Sequence, residues 1–428
     1  MAKAHQTRSW LSRFLLILVG QGFSLLGSGL VQFAIIWWLT RETGSPIVLT
    51  VATITGLVPM ILVSPWAGVV ADRFNRKRVL ILADSFIAAA TLLMAVLFYM
   101  GQLEVWLIYV LLALRATGSA FHQPAFDAAM PLIAPPEHLV RVSAMMQMIR
   151  SGINLVSPML GALLIEVFNL PTVLLIDVMT AFIAILLLAP VPIPDVHDPS
   201  SMRSSARSYL RDLREGIRYV QRWRGLSILI LIFAFSNFLL SPMLSLMPLI
   251  VRNYFGGGAR HYGYFEISFA FGLIAGSLSL TVWGGFRRKI VSINLAQIVC
   301  GLALTAAGFA RPDQYTLVLA AIFVCGITSA YINSPAMAIV QTQVDKEMLG
   351  RVMSIISTLC MIAMPISLAF AGPLADRIGL MPIVYVPGLI SALVGALCFA
   401  IPSLMGIEKT RTAGSEPTVL PHPEQLST

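Results

Sequence analysis

The chain has 428 residues, 57% of them hydrophobic and only 11% charged, with a mean hydropathy of +0.83 and a formal net charge of +9. A water-soluble domain of this size has no means of burying so much apolar surface, so the composition excludes a soluble globular protein and makes lipid the main solvent. The positive charge would suit a nucleic-acid binder, but its placement along the chain excludes that use.

A membrane-crossing helix needs about 20 apolar residues. Twelve stretches meet that need, over residues 14–39, 47–71, 79–101, 104–131, 140–167, 171–190, 226–251, 262–285, 290–309, 315–340, 349–375 and 381–403. Backbone groups at that depth must bond within their own segment, so the runs are helices and the fold class is an all-α polytopic membrane protein. The first run is too long for a cleavable signal peptide, and no small-residue cleavage site follows it.

The densest charge lies between spans 2 and 3, where Gly68 precedes Asp72-Arg73 and Arg76-Lys77-Arg78. Asp72 adds nothing to the retention of basic loops on one side, so it is read as an acid with a partner of its own, such as an arginine or the positive end of a helix. Asp84 sits shallow in span 3 and is read as a cap or a pairing residue. Arg115 lies past the midplane of span 4, where an arginine costs about 2.5–3.5 kcal/mol on insertion scales and must face the bundle interior with a partner. Arg150 and Asn154 lie in span 5, in a segment whose Gly152, Ser157, Pro158 and Gly161 allow close helix approach and a kink. Asp177 in span 6 and Glu266 in span 8 lie about 9 Å and 6 Å inside the ends of their spans at 1.5 Å per residue. Either carboxylate could exchange protons or pair with a cationic substrate.

Residues 191–224 form the longest hydrophilic stretch. Arg203, Arg207, Arg211, Arg214, Arg218 and Arg222 make one stripe of a helix there, opposite Leu210, Leu213, Ile217 and Val220. Two uses fit that pattern: a surface helix on anionic headgroups, or a connector packed beneath the bundle. Cys300, Cys325, Cys360 and Cys398 all fall inside spans without close spacing, and the six histidines are scattered, so neither a disulfide framework nor a metal site is expected. No nucleotide-binding glycine loop occurs. The tail from Glu408 is polar.

Landmarks recur at an offset of 210 or 211 residues: Arg76-Lys77-Arg78 with Arg287-Arg288-Lys289, Pro124-Ala125 with Pro335-Ala336, Arg141-Val142 with Arg351-Val352, and Gly161 and Pro171 with Gly372 and Pro382. The chain therefore divides into residues 1–190 and 225–403, two six-helix units, with a linker at 191–224 and a tail at 404–428. With the N-terminus in the cytoplasm, 22 of the 29 basic residues fall in the interior segments, which puts both termini inside. Trp37, Trp38 and Trp106 at one face, and Trp10, Trp66 and Trp283 at the other, fit aromatic belts.

The charged loop resembles the motif between the second and third helices of major facilitator superfamily (MFS) transporters. Arg115-Ala116-Thr117-Gly118 resembles the core of that superfamily's span 4 motif, where the arginine is linked to proton coupling. The stretch from Gly152 to Gly161 resembles the span 5 motif of drug/proton antiporters, with Ser157-Pro158 and Gly161-Ala162 departing from its pattern. Gly20-Gln21 with Ser24, Thr43-Gly44-Ser45, Ala120-Phe121-His122, Glu266 to Gly272, Leu349 to Val352 and Ala363 to Ile366 are similar to the macrolide-efflux (Mef-type) branch of MFS drug exporters.

That resemblance implies two pseudo-symmetric bundles and export of a lipophilic drug, such as a macrolide, in exchange for protons. It implies no enzyme activity, no cofactor and no nucleic acid. The protein is expected as a monomer in the bacterial cytoplasmic (inner) membrane, with a separate ATPase partner left open. Arg115, Asp177, Glu266, Arg150 and Asn154 are the expected proton-coupling or substrate residues, in a cavity lined by spans 1, 4, 5, 7, 8, 10 and 11. Gly68, Asp72, Arg73, Arg76 and Lys77 are the expected gate. An exporter of another compound (a siderophore, a peptide or a different lipophilic molecule) and a metabolite importer are the alternatives.

Overall fold

A computed structural model of the chain describes residues 2–193 and 206–408, with their side chains except at 2–9, 72, 136 and 206–213. The expected linker start, the outer arginines of the linker stripe (Arg203, Arg207 and Arg211), its Leu210 and Leu213, and the tail past Glu408 lie outside the described residues or side chains.

Six long helices come first: α1 (Ala2–Thr43), α2 (Pro46–Arg73), α3 (Arg76–Tyr99), α4 (Val105–Ala129), α5 (Leu139–Val167) and α6 (Leu170–Leu188). A linker helix, α7 (Ala206–Arg222), leads to α8 (Arg224–Asn253), α9 (Ala259–Trp283), α10 (Lys289–Gly308), α11 (Tyr315–Gln343), α12 (Lys346–Ile378), α13 (Pro382–Cys398) and the short α14 (Pro402–Met405). No strand occurs among the described residues.

Eleven of these helices are long and apolar enough to cross a membrane. The twelfth, α13, has 17 residues and is about 25 Å long at 1.5 Å per residue. It stops at Cys398 because the chain turns there into α14, whose Leu404 is fully buried.

Local chemistry sets the turns. Gly44, at φ +59°, closes α1, the Ser45 hydroxyl accepts the Val48 N–H, and Pro46 starts α2 where no N–H is needed. Asn75 and Asn169 cap α3 and α6 in the same way, accepting the N–H groups of Arg78 and Thr172.

Helices α1–α6 form one bundle and α8–α13 a second, and the two meet along α2 against α12 and α5 against α9. We call the end carrying Arg73–Arg78 and Arg287–Lys289 the basic end, and the opposite one the far end. Contacts between the bundles gather toward the far end. There Thr53 bonds Ser245 at 2.8 Å, the Gly372 backbone lies against Thr50 and Ile47, and Leu49, Leu246, Leu249, Ala375 and Ile383 share one apolar cluster. The Arg260 guanidinium pairs with Glu166, and Arg252 donates to the carbonyls of Thr40 and Arg41. No described atom lies within 4 Å of a Cβ added at Gly68, near the basic end of α2, or at Gly152, midway along α5.

The described part of α7 packs beneath the second bundle. Glu215 pairs with Arg351 at 3.0 Å, the Tyr219 hydroxyl donates to Asp345, and Val220 is buried. Two of the expected belt residues are packed inside instead. Trp37 lies near Tyr262, and Trp10 stacks on His138 at 5.0 Å, because helix α1 runs through the interior where it borders other helices on several sides. Trp66, Trp106 and Trp283 are exposed.

Candidate functional site

Two polar layers cross the first bundle. In one, Arg115 Nη1 lies 2.6 Å from Asp177 Oδ2. The Thr91 hydroxyl donates to the same oxygen at 3.0 Å, Ser28 donates to Oδ1 at 3.1 Å, and Arg115 also contacts Thr91. Helices α1, α3, α4 and α6 each give one residue to this layer. Arg115 is 7% exposed and Asp177 1%, so both charges are desolvated and each is the other's counter-ion. Gly27 makes room for the layer, since a Cβ there would stand 2.2 Å from Thr180 Oγ1 and 3.1 Å from Asp177.

The second layer is built on Asp84. Gln21 Nε2 donates to its Oδ2 at 2.9 Å and Ser24 to its Oδ1 at 3.3 Å. His122 Nε2 lies 2.7 Å from Gln21 Oε1 and 3.4 Å from Asp84 Oδ1. All four residues are buried. Between the layers Ile87 packs on Gly118, where a Cβ would stand 2.6 Å away.

Glu266 lies elsewhere, on α9 at the boundary between the bundles. It accepts a 2.8 Å hydrogen bond from Tyr262, whose ring stacks on Phe33 of α1 at 5.0 Å. Both residues line a cavity of about 290 Å³ together with Gln32, Thr53, Pro158 and Ser245. Its walls come from α1, α2, α5, α8, α9 and α12. The walls therefore include span 2 and omit spans 4 and 10, which face into their own bundles.

A second cavity, of about 280 Å³, lies within the second bundle among Asn237, Gln297, Asn333, Phe265 and Phe269. Gln297 donates to Ser236 at 2.9 Å, and no acidic or basic residue is among the described residues that line the space. At the repeat offset of 210, Asp84 becomes Asn294 and Arg115 becomes Cys325. The buried charge of the first bundle is thus replaced by neutral groups in the second.

The remaining expected residues divide by surroundings. Arg150 pairs with Asp127, and its guanidinium lies 6.0 Å from the Phe126 ring, apart from Arg115 and Asp177. Asn154 is exposed and makes none of the described side-chain hydrogen bonds. Ser157 is buried against Gly29, Gly161 lies against Phe33, and Ala162 meets Gly263 of α9. Pro158 lines the cavity between the bundles, and Gly152 faces open space. Around the charged loop, Arg76 donates to the carbonyls of Ala71 and Ala128 and Lys77 to that of Ala189 at 2.5 Å. These bases sit at the C-terminal ends of α2, α4 and α6, where the helix dipoles favour cations. Arg73 is exposed, and the Asp72 side chain lies outside the described set.

Sequence reading placed Arg115 and Asp177 separately and overlooked Ser28, Thr91, Tyr262 and the whole Asp84 layer as a joint site. A signal was present. Gln21-Ser24-Ser28, Asp84-Ile87-Thr91 and Arg115-Gly118-His122 all run i, i+3, i+7, so each triplet lines one face of its helix.

The profile of the Major Facilitator Superfamily matches residues 17–368. Macrolide efflux protein A of Streptococcus pyogenes is 36% identical over 372 residues, covering 87% of this chain and 91% of that protein. Macrolide efflux protein A of Enterococcus faecalis is 34% identical over 326 residues, or 76% of this chain and 100% of that sequence. Among solved structures, a POT family transporter in complex with 5-aminolevulinic acid superposes with a TM-score of 0.69 over 92% of this chain and 96% of that one, at 10% identity.

Proposed function

The chain belongs to the Major Facilitator Superfamily, in the branch that holds the macrolide efflux proteins, and is a multi-pass membrane transporter and not an enzyme; from that premise we propose that it exports lipophilic drugs, macrolide antibiotics first, in exchange for protons. The site is the bacterial cytoplasmic membrane, with the basic end and both termini inside. The observation that carries this reading is the placement of Glu266. One carboxylate stands in an otherwise uncharged cavity at the boundary of two bundles, beside a stack of aromatic rings suited to a lipophilic cation.

The placement of Glu266 between the bundles supports an alternating-access cycle. With the far end closed, a drug enters from the cytoplasm or the inner leaflet and meets Glu266. Protonation of that carboxylate removes the charge that holds a cation, which supplies the differential affinity that a change of state requires. Arg115 and Asp177 keep the first bundle rigid as it rocks against the second. Closure at the basic end brings the loop of Gly68, Asp72, Arg73, Arg76 and Lys77 toward the second bundle, and Asp72→Asn slows cycling more than it weakens drug binding. The working unit in this proposal is the monomer.

The test is accumulation of radiolabelled erythromycin in pump-deficient bacteria expressing the chain, before and after a protonophore. Low accumulation that rises when the proton gradient collapses is the expected result. Accumulation equal to the empty-vector control, with the protein present in the membrane, overturns the macrolide assignment. A substrate panel of other lipophilic compounds, siderophores and peptides then decides between the remaining exporters.

A further inference from the structure

The proposed cycle leaves the Asp84 layer without a use. It holds a buried carboxylate with no permanent cation among its described neighbours. Gln21 and Ser24 bring neutral donors, and Arg115, two helical turns away, is closed onto Asp177. Ile87 and Gly118 fill the space between. An ionised carboxylate in such a setting is costly unless it is paired, and His122 is the one described neighbour able to become a cation.

The amide of Gln21 fixes where the hydrogens lie. Its Nε2 donates to Asp84, so its Oε1 is turned to His122 and must accept. His122 Nε2 therefore carries a hydrogen, which also faces Asp84 Oδ1 at 3.4 Å. None of the described hydrogen bonds uses Nδ1 of the ring, which leaves that nitrogen free to take up a second proton.

Other charged groups near the layer are already engaged or distant. On α4 and α5, Asp127 and Arg150 pair with each other, and Phe126, stacked 6.0 Å from His122, stands beside that pair. From α6 comes Asp177, held in the other layer. At the end of α2 stand Asp72 and Arg73, and at the start of α3 Arg76 and Lys77 bind main-chain carbonyls.

The geometry points to Asp84 and His122 as a joint binding site for one proton, distinct from Glu266 and about 10–12 Å from the basic end. With the proton bound the pair is neutral overall, as acid and imidazole or as carboxylate and imidazolium. Without it one negative charge remains, and Gln21 and Ser24 of α1 must solvate it. Helix α1 also presents Gly29, Gln32 and Phe33 to the cavity between the bundles, so the proton and the drug act on one rigid element. Use of the site for coupling rests on the proton-exchange reading above; the binding of the proton does not.

The test counts protons taken up across the neutral range by the purified full-length chain in detergent. Asp84→Asn is expected to take up one proton fewer than the wild type. Adding His122→Gln to it should remove no further proton, because the imidazole loses its counter-ion with the carboxylate. An unchanged count in Asp84→Asn, or the loss of a second proton in the double variant, overturns the proposal. Should Asp84→Asn fail to fold, His122→Gln alone serves: removal of the imidazole should alter the proton uptake of the chain, and an unchanged uptake curve overturns the proposal. In cells, Asp84→Asn should flatten the pH dependence of erythromycin export while erythromycin binding persists. The proton count involves no drug, so a chain that ignores erythromycin refutes the macrolide reading and leaves this one to stand or fall separately.

Discussion

Arg115 Nη1 and Asp177 Oδ2 are 2.6 Å apart, although their backbones sit at different depths. Arg115 lies about 15 Å from the start of α4 and Asp177 about 10 Å from the start of α6, both starts being at the far end. Side chains on a helix lean toward its N-terminus, and α4 and α6 run in the same direction, so the long arginine reaches back toward the shallower carboxylate. Thr91 and Ser28 then occupy further lone pairs of Asp177. The pair is a closed ionic joint among four helices.

Breaking one side of that joint strands the other charge. Arg115→Ala or Asp177→Asn should each destabilise the protein by about 3–5 kcal/mol, the cost of an uncompensated buried charge. The double variant Arg115→Gln/Asp177→Asn leaves no charge and should recover most of that loss. Thermal melting in detergent checks this. Two single losses that simply add in the double variant would show that the residues do not act as a pair.

How much of this was legible beforehand depended on the kind of information involved. The apolar runs marked every spanning helix because the length of a span and its hydropathy are set within one segment. Arg115 and Asp177 stood out for the same reason, since a charge in lipid is anomalous on its own. What pairs with what depends on helix neighbours, which no local pattern states. Arg150 is an anomaly of the same kind in span 5, and only the packing shows that its partner is Asp127 of α4. His122 drew notice only as part of a resemblance, because a lone histidine on an apolar face is unremarkable until Asp84 and Gln21 are placed beside it. The length of α13 was misjudged through composition, because Phe399-Ala400-Ile401 is apolar but turns.

Backbone contact supplies a second prediction. Gly272 and Gly326 bring α9 and α11 so close that a Cβ at Gly272 would stand 2.1 Å from the Phe323 carbonyl oxygen, and one at Gly326 would stand 2.2 Å from that of Phe269. Backbone atoms cannot rotate away as side chains do. Gly272→Ala or Gly326→Ala should cost about 1–3 kcal/mol through overpacking. Gly56→Ala is the control, because nothing lies within 4 Å of its added Cβ. Melting temperatures that fall in the first two variants and hold in the third confirm the crossing.

Glu266 is half-buried and held by a single described hydrogen bond, from Tyr262. Glu266→Gln keeps the shape and an acceptor, so folding should change by no more than about 1 kcal/mol. Export of a cationic drug should fall about tenfold, equivalent to about 1.4 kcal/mol of lost attraction, while an uncharged substrate is spared. Parallel efflux assays with erythromycin and a neutral analogue lacking its amine make the comparison. Equal losses on both would remove Glu266 from cation recognition and leave it proton exchange alone.

The far-end contact between Thr53 and Ser245 offers a direct test of motion. Their hydroxyl oxygens are 2.8 Å apart across the boundary between the bundles, one on α2 and one on α8. Cysteines at both places, in a background where the four native cysteines are replaced, should form a disulfide that holds the far end shut. Transport by rocking bundles needs that end to open in every cycle. The oxidised Thr53→Cys/Ser245→Cys variant should therefore lose export, and a membrane-permeant reductant should restore it. Arg252→Ala and Arg260→Ala act in the opposite sense, removing donors that clasp Thr40, Arg41 and Glu166. They should weaken far-end closure and slow formation of the same cross-link. Full export by the cross-linked protein would mean that the far end need not part, and would refute alternating access in this chain.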